Sequence, residues 1–180
     1  MDEMFSNMTV RRLDDDEVVE SFHSGDSDLD SFVINRAHLF NQTRLSANYV
    51  VMLNDKVAVF FTLSCDRVGM SDFKSLTDYN RFRRSRFENP KRLKGFPAVK
   101  IGRLAVSSDF QGKGLAKFTL DMIKMMCYEF RLYGCRFITV DAYKTRIGMY
   151  EHLGFQCLTS QQSEAAHTTQ MFFDLFSLKY

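Results

Sequence analysis

The stretch Val106-Ser-Ser-Asp-Phe-Gln-Gly-Lys-Gly-Leu-Ala-Lys117 follows the run Val99-Lys-Ile-Gly-Arg-Leu-Ala-Val106 and leads into a long apolar segment. That order encodes a strand end, a glycine-bearing turn and the start of a helix. Such a turn brings together several backbone N–H groups that have no intrahelical partner, at the positive end of the helix dipole. It is a site for a phosphate or pyrophosphate. Gly112 and Gly114 let the backbone approach such a group closely, and Ala116 lets the helix lie tight against a sheet. The loop is not the dinucleotide fingerprint, which has three spaced glycines and a later acidic residue. It also lacks the Gly-Lys-Ser/Thr ending of a triphosphate loop. Taken alone, two glycines before a helix also fit a plain tight turn.

Downstream lie Phe137-Ile-Thr-Val-Asp141, then Thr145-Arg-Ile-Gly-Met-Tyr-Glu-His-Leu-Gly-Phe155. The first is a strand by its β-branched and aromatic content. The second is a short helix closed by Gly154, with an aromatic that opens another strand. With both segments in view, the chain resembles the GNAT superfamily of acyl-CoA-dependent N-acetyltransferases. The family's pyrophosphate loop, Gln/Arg-x-x-Gly-x-Gly/Ala, is matched at Gln111, Gly114 and Ala116. Its later pattern, Phe/Met-Tyr-Glu-x-x-Gly-Phe, is matched from Met149 to Phe155. The order and the spacing of about 35 residues between the two motifs fit as well. The resemblance runs from about Met8 to Leu175.

A chain of 180 residues with 45% hydrophobic content is read as one domain, residues 1–180, around a single core. There is no run of 18 apolar residues, and the acidic start MDEMFSNMTV has no hydrophobic signal region. No membrane span and a cytoplasmic location are therefore expected. Cys65, Cys127, Cys135 and Cys157 share no Cys-x-x-Cys spacing and have no histidine cluster beside them. They read as reduced thiols, and no metal site is expected.

The expected fold is α/β (α+β): a GNAT-like mixed, mostly antiparallel sheet with helices on both faces. Met8 to Leu13 reads as the first strand. Gly25-Asp-Ser-Asp28 caps one helix whose inner face carries Leu29, Phe32, Val33, Arg36, Ala37 and Phe40. Asn48–Leu53 and Lys56–Ser64 form a hairpin over the turn Asn54-Asp55. An irregular, partly helical and basic insert occupies about 67–96, and Pro97 to Val106 is the strand entering the loop. Leu115 to Tyr133 is helical, with methionines as core filling. Gln156–Leu158 and Thr169–Leu175 are the last strands.

The resemblance implies acetyl-CoA as cosubstrate and an amine as acceptor. It places the pantetheine arm and the acetyl carbonyl on the backbone of the strand end, Leu104, Ala105 and Val106, after Arg103. It places the pyrophosphate on the amides of Gln111, Gly112, Lys113, Gly114, Leu115 and Ala116, with Lys113 or Lys117 adding charge. Tyr150 stands at the family's tyrosine position and would protonate the departing thiolate, a step typically worth 10²–10⁴-fold, or about 3–5 kcal/mol. The plain alternative is a tyrosine that packs the short helix on the sheet. One departure stands out: many members carry an asparagine shortly after the strand that ends here at Asp141, and this chain has Tyr143-Lys144-Thr145.

No carboxylate lies between Lys100 and Val106, where a family base is often found. Asp141, Asp66 and Glu88 are candidates by chain position, each also readable as a solvated or capping carboxylate. A lysine amine near pKa 10.4 is neutral in about one molecule in 2,500 at pH 7, an α-amine near 7.7 in about one in six. The missing base tilts the reading toward an α-amine acceptor or deprotonation through a water chain. None of the cysteines lies in a site motif, so direct attack in a ternary complex is expected.

The net charge is +2, yet residues 81–94 carry seven basic residues and one acidic, and residues 1–30 carry ten acidic and two basic. Such asymmetry steers polyanions, with Phe82 and Phe87 available to stack on bases; a solvated helix face with aromatic anchors is the bland reading. The front half also resembles the toxin–antitoxin branch of the family, whose toxins acetylate aminoacyl-tRNA. Its Phe, acidic stretch and Leu-Asp-x-Phe pattern is echoed by Phe22-His-Ser-Gly-Asp-Ser-Asp-Leu-Asp-Ser-Phe32, and Tyr49-Val-Val51 and Phe61-Thr-Leu-Ser64 fit. The basic insert and Tyr143-Lys144 depart from it. An amine acetyltransferase is the main expectation; aminoacyl-tRNA as acceptor and a non-catalytic coenzyme-A-binding module are the alternatives. A homodimer is compatible with the family, through Met149-Tyr150 or the segment Phe172 to Tyr180.

Overall fold

Strand β1 (Met8–Arg12) pairs antiparallel with β2 (Ala47–Leu53), from Met8 opposite Leu53 to Arg12 opposite Tyr49. In this computed structural model the described residues are 7–88, 93–129, 134–158 and 167–178. The remaining strands are β3 (Lys56–Gly69), β4 (Gly95–Val106), β5 (Phe137–Tyr143), β6 (Gln156–Cys157) and β7 (Thr168–Asp174). The seven form one mostly antiparallel sheet in the order β1-β2-β3-β4-β5-β7-β6. Among the described residues five α-helices accompany them: α1 (Ser27–Asn35), α2 (Ala37–Gln42), α3 (Leu76–Arg86), α4 (Leu115–Glu129) and α5 (Ile147–His152). Contacts divide the chain into two units, Met1–Ser64 with Ile101–Met125, and Cys65–Lys100 with Met126–Tyr180.

In the first unit, Asn54 and Asp55 take φ of 49° and 59° and close the β2–β3 hairpin. Two successive positive φ values are what a two-residue turn matched to the strand twist requires, and Asn and Asp are the side chains that tolerate them best. The core gathers Leu13, Val19, Phe22, Phe32, Val33, Ala37, Val50, Phe60 and Ala105. The single helix expected from Leu29 to Phe40 is instead two. Arg36 has φ −126°, and its N–H closes α1 on the Phe32 carbonyl. The second turn of chain is then fixed by polar groups that periodicity does not register. Asn41 Nδ2 donates to the carbonyls of Leu13 and Asp14, and Asn48 Nδ2 donates to the carbonyl of Ala37. Asn41 and Asn48 are both buried, so these bonds are needed as well as sufficient.

In the second unit the sequence read as an irregular insert resolves into order. β3 runs on to Gly69, and α3 starts on Ser75, whose hydroxyl accepts from the Asp78 N–H at 3.1 Å. The aromatic residues of this segment are core. Phe82 lies 5.6 Å from Phe137 and 5.4 Å from Phe172 between ring centroids, and Phe87 stacks on Phe96 at 4.0 Å. β5 pairs with β7 from Phe137 opposite Asp174 to Tyr143 opposite Thr168. Gly154 ends α5 with φ +83°, and a Cβ there would meet Phe173 at 3.1 Å. The helix expected from Leu115 to Tyr133 is seen to Glu129; its last four residues and Lys91 and Arg92 of the basic segment lie outside the described residues. So do Lys179 and Tyr180 of the C-terminal segment.

Candidate active site

The first unit holds the whole glycine loop. After β4 the chain makes a 3-10 turn at Ser108–Phe110, then Gly112 and Gly114 adopt φ of +74° and +80°. L-residues pay roughly 1–2 kcal/mol for that conformation, so glycine at both places is a requirement of the backbone. A Cβ built on either meets nothing within 4 Å. The loop surface there is open, which is the free approach a bulky anion needs. α4 begins at Leu115 with its side chain buried, and the first amides of such a helix have no intrahelical partner.

Gln111 holds this loop in shape. Its Nε2 donates to the carbonyl of Ser24 at 2.7 Å and to that of Val106 at 3.0 Å. Ser107 N–H bonds the Ala58 carbonyl at 2.9 Å, and Ser108 N–H bonds the His23 carbonyl at 2.8 Å. The segment around His23 and Ser24 is thus the anvil on which the loop is set. His23, Ser24 and Asp30 are themselves linked, Asp30 accepting from Ser24 N–H at 2.7 Å and from Ser24 Oγ at 2.6 Å. Those bonds lower the Asp30 carboxyl below its ordinary value against the opposing effect of burial. Sequence reading missed this support, because nothing in a linear pattern ties residue 24 to residue 111. Beside it, Ser107–Phe110 form one wall of a cleft of about 680 Å³ that Arg11, Phe22, His23 and Val57 also line.

The two lysines named for charge have partners in the free protein. Lys113 Nζ sits on the Asp109 carbonyl at 2.8 Å and 5.2 Å from the Phe110 ring centre. Lys117 bonds Asp121 at 2.6 Å, and Lys124 reaches the same carboxylate at 3.0 Å. On the strand before the loop, Ala105 is buried in the unit's core while Leu104 and Val106 are half-buried.

Tyr150 belongs to the second unit. It is carried by α5, is 6% exposed, and its ring meets Phe155 edge-on at 5.3 Å. Burial pushes its phenol up to about 12, with Arg146 opposing. It is therefore protonated throughout the physiological range, the state a proton donor must have. Two of the three candidate bases in this unit are engaged elsewhere. Asp141 pairs with Lys100 at 2.6 Å, Asp66 accepts a short bond from the Thr139 hydroxyl, and Glu88 is exposed. All four cysteines are free thiols, and burial followed by Glu151 raises Cys157 above its usual value. Among the described residues no group of His, Cys, Asp and Glu is arranged to hold a metal ion, and no helix is long and apolar enough to cross a membrane.

A family model described as an acetyltransferase (GNAT) domain matches residues 90–171, which span both the loop and Tyr150. Residues 90–171 are thus similar to a GNAT acetyltransferase domain, and the mixed sheet has a GNAT-like fold. No curated protein matches it. Among solved structures, a bacterial toxin superposes with TM-score 0.75 at 16% identity, over 94% of this chain and 92% of that one. AtaT complexed with acetyl-methionyl-tRNAfMet gives 0.72 at 20% identity, over 95% and 96%. A tyrosine-to-phenylalanine mutant of the AtaT toxin, bound to the C-terminus of the antitoxin AtaR and acetyl-CoA, gives 0.70 at 19% identity, over 96% of each chain.

Proposed function

We propose that this chain is an acetyl-CoA-dependent N-acetyltransferase that moves an acetyl group to a primary amine by direct attack in a ternary complex, over one domain. The observation that carries the reading is the loop: two positive-φ glycines with open space above them, pinned by Gln111, at the start of α4. Coenzyme phosphates fit that surface, since close approach and unpaired amides are what a pyrophosphate needs. Gln111 to Ala116 hold the diphosphate, and the backbone of Leu104 to Val106 orients the thioester arm. Bound acetyl-CoA supplies an activated acyl thioester. Tyr150 donates its phenolic proton toward the sulfur as negative charge develops there. The cysteines take no acyl group: none of the four lies in a site motif, and burial holds the Cys157 thiol away from its nucleophilic thiolate form.

A second reading, aminoacyl-tRNA as the acceptor, is favoured by two exposed arginines of α3, Arg81 and Arg84, and by the tRNA complex of the AtaT relative. The protein then takes the α-amine of the charged 3′ end, and an antitoxin partner belongs to the same reading. The test is transfer of labelled acetyl from acetyl-CoA to a pool of aminoacylated tRNA, with deacylated tRNA and Tyr150→Phe protein as controls. Label on charged tRNA alone, lost in the variant, is the expected result for this reading. Label on small amines or proteins instead keeps the acetyltransferase and removes the tRNA. Bound acetyl-CoA with no transfer to any amine leaves a coenzyme-A-binding module and overturns the enzyme.

A further inference from the structure

From the surroundings of Phe32 we infer an oxyanion subsite for the acceptor, formed by the guanidinium groups of Arg36 and Arg103. This rests on the acetyltransferase reading, because Arg103 immediately precedes Leu104-Ala105-Val106, the strand segment assigned to the thioester arm. All the residues concerned lie in the first unit. Arg103 Cζ stands 4.9 Å and Arg36 Cζ 5.7 Å from the centre of the same Phe32 ring. Phe32 itself is 2% exposed and fixed edge-on against Phe40 at 5.1 Å, whereas both arginines are exposed. Most arginines with carboxylates nearby use them here: Arg11 takes Glu17, and Arg86 and Arg136 share Asp174. Among the described residues no carboxylate comes within ion-pairing distance of Arg36 or Arg103.

Two like charges drawn to one ring repel each other, and Arg103 Nη1 to the Gly102 carbonyl is the one guanidinium hydrogen bond the pair makes among the described residues. An oxyanion between them relieves the repulsion and accepts from their N–H groups in the bidentate geometry that guanidinium favours. Arg103 is also pre-set. Its backbone N–H donates to Thr62 Oγ1 at 3.0 Å and its Nη1 to the Gly102 carbonyl at 3.0 Å. The hydroxyl can come so close only because residue 102 is glycine, since a Cβ there would meet Thr62 Oγ1 at 2.9 Å. Arg36 follows Phe32 by four residues as the C-cap of α1, its N–H on the Phe32 carbonyl, which tethers it beside that ring. The predicted acceptor is thus an amine whose own molecule bears a phosphate or a carboxylate close to the nucleophile.

The direct probe is inorganic phosphate, titrated against chloride at constant ionic strength while the Arg Nε–H resonances of the coenzyme-A-saturated protein are followed. Arg36 and Arg103 are expected to shift together and saturably, with both shifts abolished in Arg103→Gln and with Arg84 unmoved. No shift, or an equal shift at every exposed arginine, overturns the subsite whether or not the protein turns over. A kinetic arm separates the two oxyanion sources by comparing aminoacyl-tRNA, a free amino acid and the amino acid amide. At least tenfold higher kcat/KM for one of the first two over the amide is expected, shrinking to about twofold in Arg36→Gln and Arg103→Gln. Those variants keep wild-type acetyl-CoA affinity and wild-type kcat on the amide. A preference unaltered by either substitution overturns the assignment, and loss of acetyl-CoA binding in the wild type overturns the acetyltransferase reading instead.

Discussion

Tyr150 combines a buried ring with a phenol pushed up to about 12, and both its chemistry and its stability follow from that value. A thiol titrates near 8.5, so complete proton transfer from this phenol to a thiolate is uphill by about 5 kcal/mol in the free protein. In the proposed reaction the residue therefore acts by donating a hydrogen bond that strengthens as charge grows on sulfur, and not by pre-ionisation. Tyr150→Phe is expected to lower kcat at least tenfold with acetyl-CoA affinity unchanged; steady-state kinetics alongside calorimetric binding check it, and an unchanged kcat removes Tyr150 from the reaction. The pH rate profile should show no descending limb from this group below about pH 11. Stability has a definite sign too. A folded value above the unfolded one, near 10, favours the native state below pH 10 and loses that contribution as pH rises through 12. Chemical denaturation at pH 9 and pH 11.5 should show the loss, and Tyr150→Phe should flatten it. Gly114 gives a second residue-level case. Gly114→Ala is expected to cost about 1–2 kcal/mol from φ +80° alone, as the space is open, and also to weaken acetyl-CoA binding by crowding the loop. Wild-type affinity in a folded variant sinks the phosphate assignment.

Elements divide by how far their causes lie from them in sequence. The hairpin turn Asn54-Asp55, the strand entering the loop, the loop glycines and the α5 cap at Gly154 were all legible, because local backbone demands wrote them. The candidate-site motifs are contiguous runs, one from the glycine loop into α4 and one from α5 through its cap. The break between α1 and α2 was not, since the apolar face from Leu29 to Phe40 keeps helical period straight through it. What ends α1 is the wiring of Asn41 and Asn48 to carbonyls of Leu13, Asp14 and Ala37, up to 28 residues away. The order in the basic insert was hidden likewise. Its phenylalanines pack on residues of β5 and β7 that the sequence does not place beside it. Arg36 and Phe32, four residues apart around the end of α1, carry a readable signal; Arg103 carries none. The N-cap of α1 gives this scale its prediction. Asp26 Oδ1 accepts from the N–H of Asp28 at 3.0 Å and of Leu29 at 3.2 Å. Asp26→Ala should cost about 1 kcal/mol, within the 0.5–2 kcal/mol of such caps, read as a drop in Tm. A Tm equal to wild type would show that α1 is held by its apolar face alone.

At the scale of the whole molecule, charge separates by sequence position, ten acids in the first thirty residues against seven bases in residues 81–94. The structure sorts those bases by use. Arg86 lies 4.2 Å from the Phe82 ring centre and 3.5 Å from Asp174, and burial lowers its pKa, so it serves the core. Arg83 lies over Tyr79 at 5.7 Å. Arg81, loosely paired with Asp78 at 3.6 Å, and Arg84 face solvent and are the α3 arginines placed to meet a polyanion. If aminoacyl-tRNA is the acceptor, its affinity must fall with salt, because each neutralised phosphate releases counterion; the log–log slope changes by about 0.7–0.9 per contact. Arg81→Gln and Arg84→Gln should each flatten that slope by about one contact while leaving the melting temperature within the usual small range for surface changes. Arg86→Gln should act the opposite way, lowering Tm through the loss of one of the two arginine partners of Asp174 and of a ring contact, with little change of slope. Filter binding of charged tRNA between 50 and 300 mM salt, paired with thermal melts, separates the two classes. A slope that ignores Arg81 and Arg84 would return the exposed face of α3 to simple solvation and leave a small or proteinaceous amine as the acceptor.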